Sequence, residues 1–280
     1  MTPQPERAGT VDIGDGREIY LQCRGTGGPT VVLVSGFPDG ADAWGELSGR
    51  AEDASPVFAD LAAFVRVCAY DRPGTGPGRS PPVEQPTSGK DAADDLERLL
   101  AASGEIGPYV LVGHSYGGPV IRLFVSTYPA QVAGLVLVDG LSEDLLDGLT
   151  AAQRAVYEEL NSSRPDPGAE DLDYDATFQQ LRESAPVPAV PVIVLTADRP
   201  QLSPEVLATQ QFPPGVDQEF ADALWAAQVV AQDRLAAMFT DVQHITETNS
   251  THYIQNDNPQ LVIDSIREVV DSARRSEPRG

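Results

Sequence analysis

The sequence predicts an α/β protein: an eight-stranded, mostly parallel sheet flanked by helices. Three observations carry that expectation. The later apolar runs are continuous rather than alternating, the pattern of strands covered on both faces. They alternate with stretches of helical spacing, as in a doubly wound sheet. Residues 110–118 read Val-Leu-Val-Gly-His-Ser-Tyr-Gly-Gly, an apolar strand entering a glycine-lined turn at Ser115 and leaving as a helical stretch.

The first two strands are expected at 10–13 and 18–24, joined by the hairpin signal Gly14-Asp15-Gly16. Further strands are expected at 30–35, 65–70, 109–113, 134–139, 190–196 and 242–248. A helix over 90–103 sets Leu96, Leu99 and Leu100 on one face and stops at Gly104. A longer one over 217–240 spaces Phe220, Leu224, Ala227, Leu235 and Met238 helically, and 262–273 closes the chain. Residues 141–189 break the rhythm: they hold no good strand, contain Arg164-Pro165-Asp166-Pro167-Gly168, and exceed an ordinary connection. They predict a helical lid inserted after the sixth strand, with short helices near 150–161 and 175–184. The core is then 1–140 and 190–280, and a disordered linker is the alternative for 141–189.

The net charge of −23 repels phosphate backbones and anionic lipid, which disfavours nucleic-acid and membrane partners. Lys90 is the only lysine, so the charge also reflects composition and speaks mainly to solubility. The polar, proline-rich start and the lack of a membrane-length apolar run predict a soluble, cytoplasmic protein. Cys23 and Cys68 show neither metal-ligand spacing nor a disulfide framework, and are expected as small apolar strand residues in a reducing compartment. No H-E-x-x-H pattern occurs, and neither a metal nor another cofactor is expected.

Gly113-His114-Ser115-Tyr116-Gly117 fits the G-x-S-x-G nucleophile elbow, which pushes a serine hydroxyl out of the sheet edge. A serine hydroxyl is a weak nucleophile and needs a base, which in turn needs an orienting acid. Of three histidines, His114 neighbours the serine and points elsewhere, and His244 sits inside the last strand. His252 follows that strand in a loop at the sheet edge where the elbow also lies, so it is the candidate base. The oxyanion donors are expected to be the Tyr116 N–H and the Phe37 N–H, in a loop that Gly36 frees to turn and where Pro38 has no N–H to give.

These features resemble the α/β-hydrolase superfamily, specifically its small cofactor-free branch of esterases, lactonases and related enzymes. The likeness extends over nearly the whole chain. It includes Ser35-Gly36-Phe37, where that branch usually carries His-Gly, and Tyr70-Asp71-Arg72-Pro73-Gly74-Thr75-Gly76…Ser80, similar to the family's Asp-Arg-x-Gly-x-Gly-x-Ser loop. The elbow, the strand Leu135-Val-Leu-Val-Asp139 and the segment His252-Tyr-Ile-Gln…Pro259 complete it. The family usually places its acid just past the strand after the lid, in Gly-x-x-Asp. Here that stretch is Ala197-Asp198-Arg199-Pro200, with Asp198 two residues early. Some relatives use the end of the strand after the elbow helix, here Asp139. Asp139 and Asp198 therefore stand as alternatives, with a lid acid such as Glu143 as a third.

The resemblance implies hydrolysis of a small or medium carboxylic ester or lactone through an acyl-enzyme on Ser115. A hydrolase-fold ligand receptor with little turnover, or an acyltransferase, thioesterase or amidase using the same Ser-His pair, stays open. A serine at the elbow disfavours dehalogenases and epoxide hydrolases of this fold, which use aspartate there. Pocket candidates are Gly36, Trp44, His114, Tyr157, Phe178 and Tyr253, giving a moderately apolar pocket. The expected partner is a small-molecule substrate, and the expected assembly a monomer or homodimer.

Overall fold

The computed structural model describes residues 6–45, 57–76, 80–162 and 168–276. The turn formers Arg164, Pro165, Asp166 and Pro167 lie outside them.

Eight strands form one sheet: β1 (Arg7–Gly14), β2 (Arg17–Arg24), β3 (Val31–Val34), β4 (Val67–Tyr70), β5 (Tyr109–His114), β6 (Val132–Val138), β7 (Val192–Leu195) and β8 (Val242–Ile245). Their order is β1-β2-β4-β3-β5-β6-β7-β8. The β1·β2 and β2·β4 pairs are antiparallel and the others parallel. The chain steps from β3 outward to β4, then returns to the other side of β3 as β5. The strand order therefore reverses between β3 and β5, and the crevice beyond their C-terminal ends is where ligands bind in open α/β sheets. The loop of Gly36 and Phe37 leaves β3 there, and the elbow leaves β5 there.

The central strands are apolar throughout because both faces are covered. Val32 and Val34 face α2 (Gly89–Ser103) and α3 (Gly117–Thr127), in one core with Leu96, Leu100 and Phe124. Val31 and Leu33 face α1 (Val57–Ala62) and α9 (Pro259–Ser276), in a second core with Phe58, Leu61, Ile266 and Val270. Alternation of side chains across a strand makes this division. A capping box of Ser88 and Asp91 starts α2, and Gly104 ends it in the left-handed conformation.

Between β6 and β7 the chain makes a long excursion through α4 (Ala151–Leu160) and α5 (Tyr174–Glu183). After β7 a second one carries α6 (Pro204–Thr209) into α7 (Gln218–Ala237), and the short α8 (Ile254–Asp257) precedes α9. Met238, helically spaced with the apolar residues of the long helix, is exposed just past its end.

The reading of the cysteines as free thiols is corrected. Cys23 of β2 and Cys68 of β4 are directly opposed in the antiparallel register and joined by a disulfide. Both are fully buried. Glu105 is the one further metal-ligand type beside them among the described residues, and the sulfurs are committed to each other. Among the described residues no helix is long and apolar enough to cross a membrane.

Candidate active site

Ser115 takes φ 50°, a left-handed conformation rare for a residue with a side chain. Its N–H donates to the Val138 carbonyl, and its own carbonyl accepts from Gly118 and Leu141. Those bonds to the next strand and its exit loop hold the turn against its strain. The turn closes because residue 117 is glycine: a Cβ there would lie 2.2 Å from the Val34 carbonyl oxygen. A Cβ at Gly36 would meet Ser115 Cβ at 2.8 Å, so the loop after β3 lies directly on the elbow.

His252 reaches the same place from the edge strand β8, two strands away from the elbow's neighbour β6. The loop of 246–253 is carried across β7 by specific bonds. Thr248 Oγ1 donates to the Thr196 carbonyl, and the Asn249 and Ser250 amides donate to the two Asp198 carboxylate oxygens at 2.8 and 2.9 Å. The Arg199 amide returns a bond to the Ser250 carbonyl. On the far side, Thr251 donates twice to Asp257 of α8.

So held, His252 Nδ1 lies 2.6 Å from Asp139 Oδ2. The Asp139 side chain is 3% exposed and that of His252 21%, which puts this hydrogen-bonded pair at the wall of a cavity rather than in bulk water. The other Asp139 oxygen accepts the Ala197 amide at 3.0 Å. Of the carboxylates considered from sequence, Asp139 meets the histidine, and the other two are engaged elsewhere. Burial pushes the Asp198 pKa up, but the Asn249, Ser250 and Asp198 amides and the Arg199 charge together outweigh it and hold the carboxyl below the ordinary aspartate range. Glu143 forms a buried two-pronged pair with Arg122, at 2.6 and 2.8 Å.

His114 is fully buried beneath this pair. Its Nε2 lies 3.1 Å from the His252 carbonyl oxygen, and the two rings stand 4.8 Å apart. Burial, then the proximity of His252, drive its pKa well below the ordinary histidine value. A neutral ring in that state donates Nε2–H to the carbonyl. His244 is bound in β8 by Thr196 Oγ1 at 2.9 Å.

Ser115, Asp139, His252 and Phe37 line one cavity of about 430 Å³. Its walls are mainly apolar, with Leu141, Leu145 and Tyr157 from the first excursion and Leu202, Phe212 and Trp225 from the second. Among the pocket candidates, Tyr157 and Tyr253 lie in the wall. Gly36, Trp44, His114 and Phe178 are not among the residues that line it. Trp44 is buried edge-on to His114, and Phe178 packs behind Tyr174. Sequence reasoning missed the second excursion as a wall; its apolar Leu202 and Phe212 in a turn-rich stretch, and Trp225 in the long helix after it, were the available signal. Burial, then the Asp39 carboxylate, lift the Tyr253 hydroxyl well above the ordinary tyrosine range, so it stays a neutral donor.

Among the described residues, the amides of Phe37 and Tyr116 have no intramolecular acceptor. Tyr116 begins the turn into α3, where backbone N–H groups converge on the serine.

A sequence profile described as the alpha/beta hydrolase family matches residues 31–273. An uncharacterised protein of Bacillus subtilis, YqjL, is 23% identical over 91% of this chain and 89% of its own. A putative carbamate hydrolase of Escherichia coli, RutD, is 34% identical over 40% of this chain and 38% of its own. Other curated relatives are longer: the chain spans 19% of a probable transporter of Hormonema carpetanum and 27% of an uncharacterised Schizosaccharomyces pombe protein. Among solved structures, a thermophilic esterase of Thermogutta terrifontis superposes with a TM-score of 0.58 at 22% identity, over 95% of this chain and 97% of the other. Est816, described as an N-acyl homoserine lactone degrading enzyme, gives 0.62 at 17% identity, over 93% and 100%.

Proposed function

The chain belongs to the alpha/beta hydrolase family, and from that premise we propose that it is a serine hydrolase of carboxylic esters or lactones. The observation that carries the proposal is the 2.6 Å bond from His252 Nδ1 to Asp139, made at the wall of the cavity that also holds Ser115.

Asp139 fixes the proton on Nδ1 and leaves Nε2 as the base. Nε2 takes the Ser115 proton as the oxygen attacks the acyl carbon. The carbonyl oxygen becomes an oxyanion, held by the Phe37 and Tyr116 amides. As the tetrahedral centre collapses, the C–O bond to the leaving alcohol breaks and His252 returns its proton to that oxygen. Water then attacks the acyl-enzyme by the same route and releases the acid and Ser115. Asp139 stabilises the imidazolium that forms in each half-reaction.

The apolar walls favour a substrate with a small or medium apolar acyl or alcohol portion. Residues 141–189 serve as a lid, and their eleven acidic residues against three arginines disfavour a dianionic substrate. The charge of −23 supports a protein without nucleic-acid or membrane partners, and a monomer or homodimer is the proposed assembly. The disulfide supports an oxidising compartment over the cytoplasm expected from composition. The likeness to a putative carbamate hydrolase keeps carbamates among the substrates to be tried.

The test is hydrolysis of p-nitrophenyl esters of graded acyl length, γ- and δ-lactones and aryl carbamates, by wild type and Ser115→Ala. Turnover of esters or lactones that Ser115→Ala abolishes supports the reading. Equal rates for the two proteins, or no turnover on any panel member, refute it.

A further inference from the structure

Arg72 is almost wholly buried beside the loop after β3 and donates at four points. Nη1 reaches the Ser35 carbonyl at 2.6 Å and Nη2 the Gly36 carbonyl at 2.9 Å. Nε and Nη2 also grip the two Glu170 carboxylate oxygens at 2.6 and 2.8 Å. Glu170 belongs to the excursion between β6 and β7 and is itself buried. Its amide donates to the Gly74 carbonyl, and a bridge from Leu172 to Thr87 docks the same stretch on the core.

The Gly36 carbonyl is half of the Gly36–Phe37 peptide, whose other polar group is the Phe37 N–H. The peptide is planar, so a carbonyl drawn toward Arg72 turns the N–H away from it. Phe37 lines the cavity, and its N–H has no acceptor within the described residues. The Asp39 amide binds the same carbonyl at 2.9 Å, a second restraint on the plane. The Arg72 guanidinium also stands 5.5 Å over the ring of Tyr116, which supplies the other oxyanion amide. One side chain thus holds the Gly36–Phe37 peptide and packs on the ring of Tyr116.

We propose that the Arg72–Glu170 pair positions the oxyanion hole, and that the excursion between β6 and β7 takes part in catalysis by supplying the anion that holds Arg72 in place. The inference rests on the serine-hydrolase reading. Neither residue touches substrate: both are positioning residues, acting through the Gly36–Phe37 peptide. A fork is needed, because two carbonyls and a carboxylate must be met in one plane, which a lysine ammonium cannot do.

The pair also staples 168–173 to the core, so the test must separate positioning from stapling. Breaking one partner would strand a buried charge, whereas replacing both by apolar residues of similar size is often tolerated. The variants are therefore R72M/E170M and R72K, each checked for a wild-type circular dichroism spectrum. The readouts are kcat and KM on p-nitrophenyl butyrate and the inhibition constant of phenylboronic acid, whose Ser115 adduct places an oxygen in the hole. Positioning predicts a kcat loss of about 10- to 100-fold with KM within about twofold, and boronate affinity weakened by a similar factor. R72K should share the pattern although it keeps the charge. Folded variants with wild-type kcat and boronate affinity, or with KM alone raised, would overturn the proposal and leave the pair as a staple. If Ser115→Ala is as active as wild type, the hydrolase reading falls first and takes this inference with it, whatever the Arg72 variants do.

Discussion

Replacing Asp139 by asparagine changes one oxygen to an NH2 group and almost nothing in volume. Asp139 Oδ1 accepts the Ala197 amide at 3.0 Å, so the carboxamide oxygen must stay at that position. The NH2 group then occupies the Oδ2 site, 2.6 Å from His252 Nδ1. Two donors cannot face each other, so Nδ1 gives up its proton and becomes the acceptor. The proton moves to Nε2, the nitrogen that must accept it from Ser115. The wrong tautomer is then the stable one, and kcat should fall by about a thousand- to ten-thousand-fold with folding retained. Asp198→Asn is the control. It replaces one acceptor of the Asn249–Ser250 amide pair, loosens the loop that carries His252, and should lower kcat by less than about tenfold. The assay is ester hydrolysis at saturating substrate, with thermal melts of both variants. A loss in Asp198→Asn that equals or exceeds that of Asp139→Asn would refute the reasoning.

Three other expectations concern the frame around the site. His114 is buried neutral, with a pKa depressed below its unfolded value near 6.5. The unfolded chain therefore binds the extra proton, and its stabilising share is present above pH 6.5 and lost as pH falls toward the folded pKa. Urea melts should show a slope from this residue of up to about 1.4 kcal/mol per pH unit in that window. His114→Asn should remove that component; an unchanged slope counts against it. Gly117→Ala drives a methyl carbon to 2.2 Å from the Val34 carbonyl oxygen and should abolish soluble folded protein, as read by expression and circular dichroism; a folded variant would mean the sheet can open there. Reduced and denatured protein should yield two thiols that the non-reduced denatured protein lacks. Cys23→Ala/Cys68→Ala should melt at lower temperature, with activity per folded molecule unchanged because neither sulfur lines the cavity.

What the sequence made legible follows how local each feature is. The elbow is contiguous, and the strand before it and helix after it stand beside it in the chain. The alternation of continuous apolar runs with helices identified all eight strands, because both faces of the central ones are covered. His252 was legible by its place after the last strand. The acid was not, because the choice between Asp139 and Asp198 depends on how the loop of 246–253 drapes across β7. Asp198 lies nearer the family's position yet spends both oxygens on that loop's backbone. The disulfide was hidden for a related reason: strands β2 and β4 are neighbours in the sheet but not in sequence, and their register alone brings Cys23 opposite Cys68. The cavity wall was less legible. Trp44 and Phe178 are aromatic, but their side chains pack in the two cores. Leu202, Phe212 and Trp225 come from a second excursion that reads as loop and helix surface.

The central claim is that Ser115 is an activated nucleophile, and covalent labelling tests it most directly. The folded protein is treated with a fluorophosphonate, digested, and the adduct located by mass spectrometry. The account predicts a single adduct on Ser115, with ester hydrolysis lost in proportion to labelling and no labelling of Asp139→Asn on the same timescale. Ester turnover that persists with Ser115 fully labelled, or a folded protein whose Ser115 never reacts, would contradict it.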